Sequence, residues 1–346
     1  MAVNKELQKD ILMSNAFDKA LNTWLTLKHQ SNWVLGIVLQ TKGSVYRKSG
    51  AMMLLSEAGH QLGILSGGCL ESDLKLQARK ALALGKAMRV IYDSEDVGGL
   101  AWRLGIGCGG SAEILLLPCN EANQYLQLEA LEKNLSNSKA CEYTLDIEAQ
   151  SASLKISNRD FTQKVRGTCL YNQANEIIGI RTHINPPPQL LILGGGADMQ
   201  PVAEMATTLN WRVNVSDPRP ANARADQFGE KVELHDYSPE ELPDELLQNS
   251  DCVIIANHNI TLDAKAIKRI AKIELRYIGL LGPTKRKNDV LKEAGLRESD
   301  LKCIVKGPLG LALGGDLPES IALSALAECH AKLFGSTANA MSTLTD

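Results

Sequence analysis

The sequence predicts an α/β protein, with an N-terminal mixed α/β domain followed by a C-terminal Rossmann-like doubly wound parallel sheet. Three observations carry that prediction. Buried strands alternate with helical segments after residue 188, as in a βαβ series. The first of those strands runs into the glycine turn "LGGGADM", and an acidic residue, Asp217, ends the next one. Before residue 118, strands and helices are mixed with glycine-rich loops that fit no simple repeat.

Taken in order, residues 3–30 read as a helix. Leu7, Ile11, Leu12, Phe17, Leu21 and Leu25 fall near a 3.6-residue period. "NWVLGIVLQT" is a strand apolar on both faces. "AMMLLS" and "QLGILS" flank "EAGH" as a hairpin with Gly59 in its turn. Cys69 to Lys86 form a helix that stops near Gly85. "MRVIYD" and "AEILLLP" are further strands, and the first domain spans 1–118. Residues 119–188 form an irregular β-rich connector that closes on Pro186, Pro187 and Pro188. The Rossmann-like domain spans 189–335, and 336–346 is a tail. The last helix begins at "GGDLPES", where Asp316 can cap, Pro318 suits the first turn and Glu319 completes a capping box.

Composition narrows the function. The 346 residues carry a net charge of -3, with 44% hydrophobic and 22% charged residues, as in a soluble globular protein. Nothing there suggests a nucleic-acid or anionic-lipid surface, no apolar run matches a membrane span, and "MAVNKELQKDILMSN" lacks a signal-peptide core. A cytoplasmic location is expected. None of the eight cysteines form a C-x-x-C pair and the six histidines are scattered, so most thiols should be free packing residues.

The chemistry-bearing residues sit on glycine loops. In "LSGGCLESDL", Ser66, Gly67 and Gly68 precede a helix whose first turn holds Cys69, Glu71 and Asp73. Gly68 can be its N-cap with Glu71 closing the box. Free N–H groups there favour an anion and stabilise a thiolate at Cys69, unless that cysteine is simply packed beneath the sheet. Upstream, "TKGSVYRKSG" supplies a bent loop between Gly43 and Gly50, with Ser44, Arg47 and Lys48 suited to an acidic group. Downstream, Cys108, Gly109 and Gly110 precede a strand and can line the same cleft or form an ordinary turn.

In the second half, Gly194 and Gly196 match the first two glycines of a dinucleotide fingerprint, Met199 replaces the third, and Asp217 stands where a ribose-binding acid would. Arg219 follows two residues later. Asn257, His258, Asp263, Gly282, Lys285 and Arg286 lie after further strands, where ligands of such sheets bind.

On "GSVYRKSGAMML", "GILSGGCLES", "GCGGSAEILL", "YIGLLGPTKRK" and "GLALGGDLPESIALSALAE", the sequence resembles the xanthine dehydrogenase accessory family, XdhC/CoxI. Tyr46 stands where that family usually has proline, and histidine is common there near the position of Asp198. The resemblance implies a molybdenum cofactor chaperone and insertion factor rather than an enzyme with turnover chemistry of its own. It would bind molybdopterin, protect it during sulfuration and deliver it to an apo molybdenum hydroxylase, with a cysteine desulfurase as sulfur source. The implied cofactor-binding residues are Gly43, Ser44, Arg47, Gly50, Ser66, Gly67, Gly68, Cys69, Glu71, Cys108, Gly109, Gly110, Gly194, Gly196, Asp217, Arg219, His258 and Gly282, in a cleft between glycine loops and strand ends. Cys69 is the candidate molybdenum ligand or sulfur handler, and no further metal site is certain. The alternative is an NAD(P)-dependent oxidoreductase using Gly194, Gly196 and Asp217. A homodimer is left open.

Overall fold

The computed structural model describes residues 16–68, 70–93, 110–163, 167–340 and 342. Two compact units divide the chain, Met1–Pro186 and Pro187–Asp346.

The first unit is built on an antiparallel sheet of five strands: β1 (Trp33–Gly43), β2 (Met52–Ser56), β3 (Gln61–Leu62), β4 (Met88–Asp93) and β5 (Gly110–Cys119), in the order β3-β2-β1-β5-β4. Strand alternation sorts β1 between two cores. Trp33, Leu35, Ile37 and Leu39 face one core, whereas Val34 and Val38 face another with Leu74, Ala78 and Ala81 of helix α2 (Glu71–Leu84). That double burial is why the strand reads as an unbroken apolar run. Gly59 turns the β2–β3 hairpin with φ of 95°. Helix α2 ends at Gly85, left-handed with φ of 60°, whose N–H returns to Ala81 and Leu82. Ahead of β1 lies α1 (Phe17–Leu27), which buries Leu21 and Trp24. Leu7, Ile11 and Leu12 of the expected helix fall outside the described residues.

Residues 119–186 belong to the same unit. Helix α3 (Leu128–Ser136) leads into β6 (Ala140–Asp146), β7 (Ser151–Ser157), β8 (Gly167–Tyr171) and β9 (Ile177–Ile184), antiparallel in the order β7-β6-β9-β8. Tyr143, Leu145 and Ile180 of this sheet share a core with Leu35 and Ile37 of β1.

The second unit holds six parallel strands: β10 (Gln189–Leu193), β11 (Arg212–Ser216), β12 (Val232–His235), β13 (Cys252–Ile255), β14 (Tyr277–Leu280) and β15 (Val305–Lys306). Their order, β12-β11-β10-β13-β14-β15, reverses direction between β10 and β13. That switch point is where such a sheet opens a crevice beyond its carboxyl ends. The helices are α4 (Gln200–Thr208), α5 (Ala225–Phe228), α6 (Asp244–Asn249), α7 (Ile260–Ile270), α8 (Thr284–Ala294) and α9 (Pro318–Leu333). The predicted cap of α9 needs correction. Leu317 is its N-cap with no side-chain bond, so neither Asp316 nor Glu319 closes a box there, although Pro318 does occupy the first turn. Among the described residues no helix is long and apolar enough to cross a membrane.

Candidate functional site

In the first unit three glycine segments converge. Gly43, at the end of β1 with φ of 70°, pairs with Gly110 at the start of β5. A Cβ on Gly110 would lie 2.4 Å from the Ser44 carbonyl oxygen, so only glycine lets the 43–50 loop close over this strand. The same loop reaches the 66–68 turn: the Tyr46 ring stands 4.0 Å from where a Cβ on Gly67 would sit. Gly50 has a different neighbour. With φ of 85°, its added Cβ would meet the Gly167 N at 2.8 Å, so Gly50 admits β8 at the back of the loop. Arg47 is half-buried and Ser44 exposed.

The "SGGCLES" turn is held by side chains in a way the sequence only partly announced. Gly68 is not the N-cap. The cap is Leu70, without a side-chain bond, and the capping oxygen comes from Ser66. Ser66 Oγ accepts from the N–H groups of Gly68 at 3.2 Å and Leu70 at 3.1 Å. Buried Glu71 closes the turn from the other side, accepting from the Ser66 N–H at 3.0 Å and its hydroxyl at 2.5 Å. The carboxylate of Glu71 is thereby committed to Ser66 and builds the turn. Gly67 and Gly68 stay exposed, and nothing lies within 4 Å of a Cβ placed on Gly68. On α2, Asp73 accepts the Tyr92 hydroxyl at 2.7 Å. Burial foremost, then that bond, pushes the Tyr92 phenol well above its ordinary value. Cys69, Cys108 and Gly109 lie outside the described residues.

In the second unit the turn after β10 is tightly packed. Gly194 has φ of 114°, and a Cβ there would lie 2.3 Å from the Ala256 oxygen. Gly195 faces Ala223, whose N would be 2.5 Å from an added Cβ. The close approach thus falls on Gly194 and Gly195, while Gly196 has ordinary extended geometry (φ of -66°). Met199, in place of the fingerprint's third glycine, is buried.

Asp217, at the end of β11, is a buried hub. Its carboxylate accepts from the Gly195 N–H at 2.8 Å, the Arg219 N–H at 2.9 Å and Asn222 Nδ2 at 2.9 Å. The Arg219 guanidinium adds two bonds, at 2.8 and 2.6 Å. Burial opposes the charge, but the Arg219 fork and the backbone donors outweigh it and hold the acid below the usual carboxylate range. Both oxygens are thus occupied, which leaves the acid little capacity to take ribose hydroxyls. A cavity of about 430 Å³ lies beside it, lined in part by Arg219, Asn222, Arg224 and His235.

Across the switch point, His258 Nε2 lies 2.8 Å from Asp198 Oδ2. His258 has φ of 55°, a conformation that L residues enter infrequently. Next to it, buried Asp263 accepts Asn257 Nδ2 at 3.0 Å and pairs with Arg286 through its other oxygen. Gly282 makes room for that pairing, since a Cβ there would strike Arg286 Cδ at 2.5 Å. Two buried atoms in this cluster, Asn257 Oδ1 and Arg286 Nε, have no hydrogen-bond partner. Sequence reasoning singled out Asp263 and Arg286 but not their pairing, and missed Gly195 and the Asp198–His258 contact. The run of three glycines was the one available signal.

The six described cysteines are free thiols. Burial pushes Cys141 up to about 11 and Cys119 higher still, so both remain protonated packing groups.

Comparison with known proteins decides the family. Residues 190–329 match the XdhC Rossmann domain, and residues 26–93 match the XdhC and CoxI family. The chain belongs to the XdhC and CoxI family. Among its XdhC-type relatives is a protein of Bacillus subtilis named as a probable xanthine dehydrogenase subunit, 29% identical over 87% of this chain and 93% of that protein. The "Molybdenum cofactor insertion chaperone PaoD" of Escherichia coli is 22% identical over 85% of this chain and 81% of its own. A solved structure named as a xanthine dehydrogenase of Bacillus halodurans superposes with a TM-score of 0.72 at 26% identity, covering 93% of this chain and 98% of that one. The XdhC fold therefore extends over both units.

Proposed function

We propose that this protein takes part in the maturation of a molybdenum hydroxylase of xanthine dehydrogenase or aldehyde oxidase type. It binds molybdopterin, shields it while a cysteine desulfurase supplies the sulfur for its terminal ligand, and delivers it to the apo-enzyme in the cytoplasm. The observation that carries this reading is the turn at Ser66–Gly68. Its backbone is held by the buried Ser66–Glu71 pair, and its two glycines are exposed beside the Ser44–Arg47 loop. A loop fixed from behind and bare in front suits close approach by an anionic ligand, and a phosphate with a metal dithiolene is such a ligand. Kinship to a chaperone named for molybdenum cofactor insertion supports the same reading.

Arg47 supplies the cation of this site, and Cys69 the thiolate that handles molybdenum or sulfur. The test is to purify the protein from cells that make the cofactor and assay bound pterin by its fluorescent oxidation product. Arg47→Ala should weaken cofactor binding roughly tenfold or more, as a charge-assisted bond of about 1.5–3 kcal/mol implies. Cys69→Ala should leave the fold intact and abolish activation of the hydroxylase. Purification without pterin, together with normal hydroxylase activity in a deletion strain, would refute the proposal.

A further inference from the structure

The second unit carries an apolar groove on the face of its sheet away from α7 and α8. Its volume is about 770 Å³, and its walls are α4, α9 and Leu311. On α9 the lining residues Glu319, Leu323, Ala327 and His330 recur at helical spacing along one stripe. Leu323 is 55% exposed and Leu209, at the end of α4, 49%. Leu313 and Leu317, which follow Leu311 towards the start of α9, are likewise more than half exposed. Four such leucines amount to roughly 400 Å² of apolar surface, the size at which exposed patches on single chains mark interaction sites.

We propose that this groove is the contact between two copies of the chain, which pair through antiparallel α9 helices about a two-fold axis. The stripe is complementary to itself. Pairing centred on Ala325 sets each Leu323 over the partner's Ala327, a large side chain against a small one. The same register puts Glu319 beside the partner's His330, a carboxylate against a ring N–H donor, twice per interface. A heterologous partner would have to supply that pattern separately, whereas a two-fold axis supplies it automatically. The apolar area also matches the requirement. A standard interface buries about 800 Å² per partner, a little over half of it apolar. This inference does not depend on the function proposed above.

Analytical ultracentrifugation of the full chain tests it. The wild type should be a dimer. Leu323→Glu changes an exposed side chain, so it should keep the melting temperature of the dissociated chain and weaken dimerisation by about a hundredfold or more. Glu319→Lys and His330→Glu should each weaken it by about tenfold, and the double variant should recover most of the loss. A monomeric wild type would overturn the proposal and leave the groove to another protein. A dimer unaffected by Leu323→Glu, or a double variant no better than its parents, would overturn it too.

Discussion

The two units use paired glycines for opposite purposes. Gly194 and Gly195 are enclosed, and a Cβ on either would strike backbone atoms at 2.3 to 2.5 Å. Gly67 and Gly68 are open, with at most the Tyr46 ring at 4.0 Å beside them. In the second unit, then, glycine is required by the protein's own packing. In the first, packing asks almost nothing of Gly67, and the requirement is left to whatever approaches from outside. The supporting acids follow the same division. Asp217 ties Gly195 to Arg219 and Asn222 within a finished network, while Glu71 stiffens the Ser66 turn and leaves its outer face bare.

The strongest test of this contrast is Gly194→Ala. It combines a left-handed φ of 114° with a clash against the Ala256 carbonyl. The second unit should lose roughly 3 kcal/mol or more, measured as a shift of its transition in chemical denaturation.

Asp217→Asn should cost less, about 2 kcal/mol, because the part-exposed Arg219 can recover some hydration once its partner is neutral. The effect should depend on pH. The folded-state pKa of Asp217 lies below its unfolded value, so below the unfolded value the unfolded chain binds more protons and stability rises with pH. The wild-type advantage should therefore be complete above about pH 4 and shrink as pH falls through the folded value. Denaturation at neutral and acid pH measures it, and a gap that does not change with pH would mean that hydrogen-bond geometry, not charge, stabilises the turn.

The smallest stability effect is expected at Gly67→Ala. Its φ is not left-handed and its surroundings are open, so the melting temperature should hardly move, within about 0.5 kcal/mol. The retained pterin should nevertheless fall sharply. Unchanged pterin content would remove the difference between the two glycine pairs.

Much of this was legible in the sequence. The unbroken apolar runs of β10, β13 and β14 marked a parallel sheet, and the glycine turn with Asp217 placed its switch point. Gly85 ended α2 as expected. The family resemblance rested on motifs that hold in both units. The sequence did less well where a partner several residues away decides the outcome. Gly68 and Asp316 had the right type and position for caps, yet Ser66 with Glu71 took over the first cap and the second has no side-chain bond.

What the sequence determined by itself was periodicity and local chemistry: which segments are strands, where the chain must turn, and which loops collect glycine, cations and thiols. Those properties depend on side-chain type and spacing, which are printed along the chain. Only the tertiary structure decided which glycines are enclosed and which are bare, that Asp217 spends its oxygens on Arg219, and that Gly282 clears space for Arg286 to reach Asp263. Those outcomes depend on distances between atoms far apart in the chain, and a difference of one ångström there separates a packing requirement from an open site.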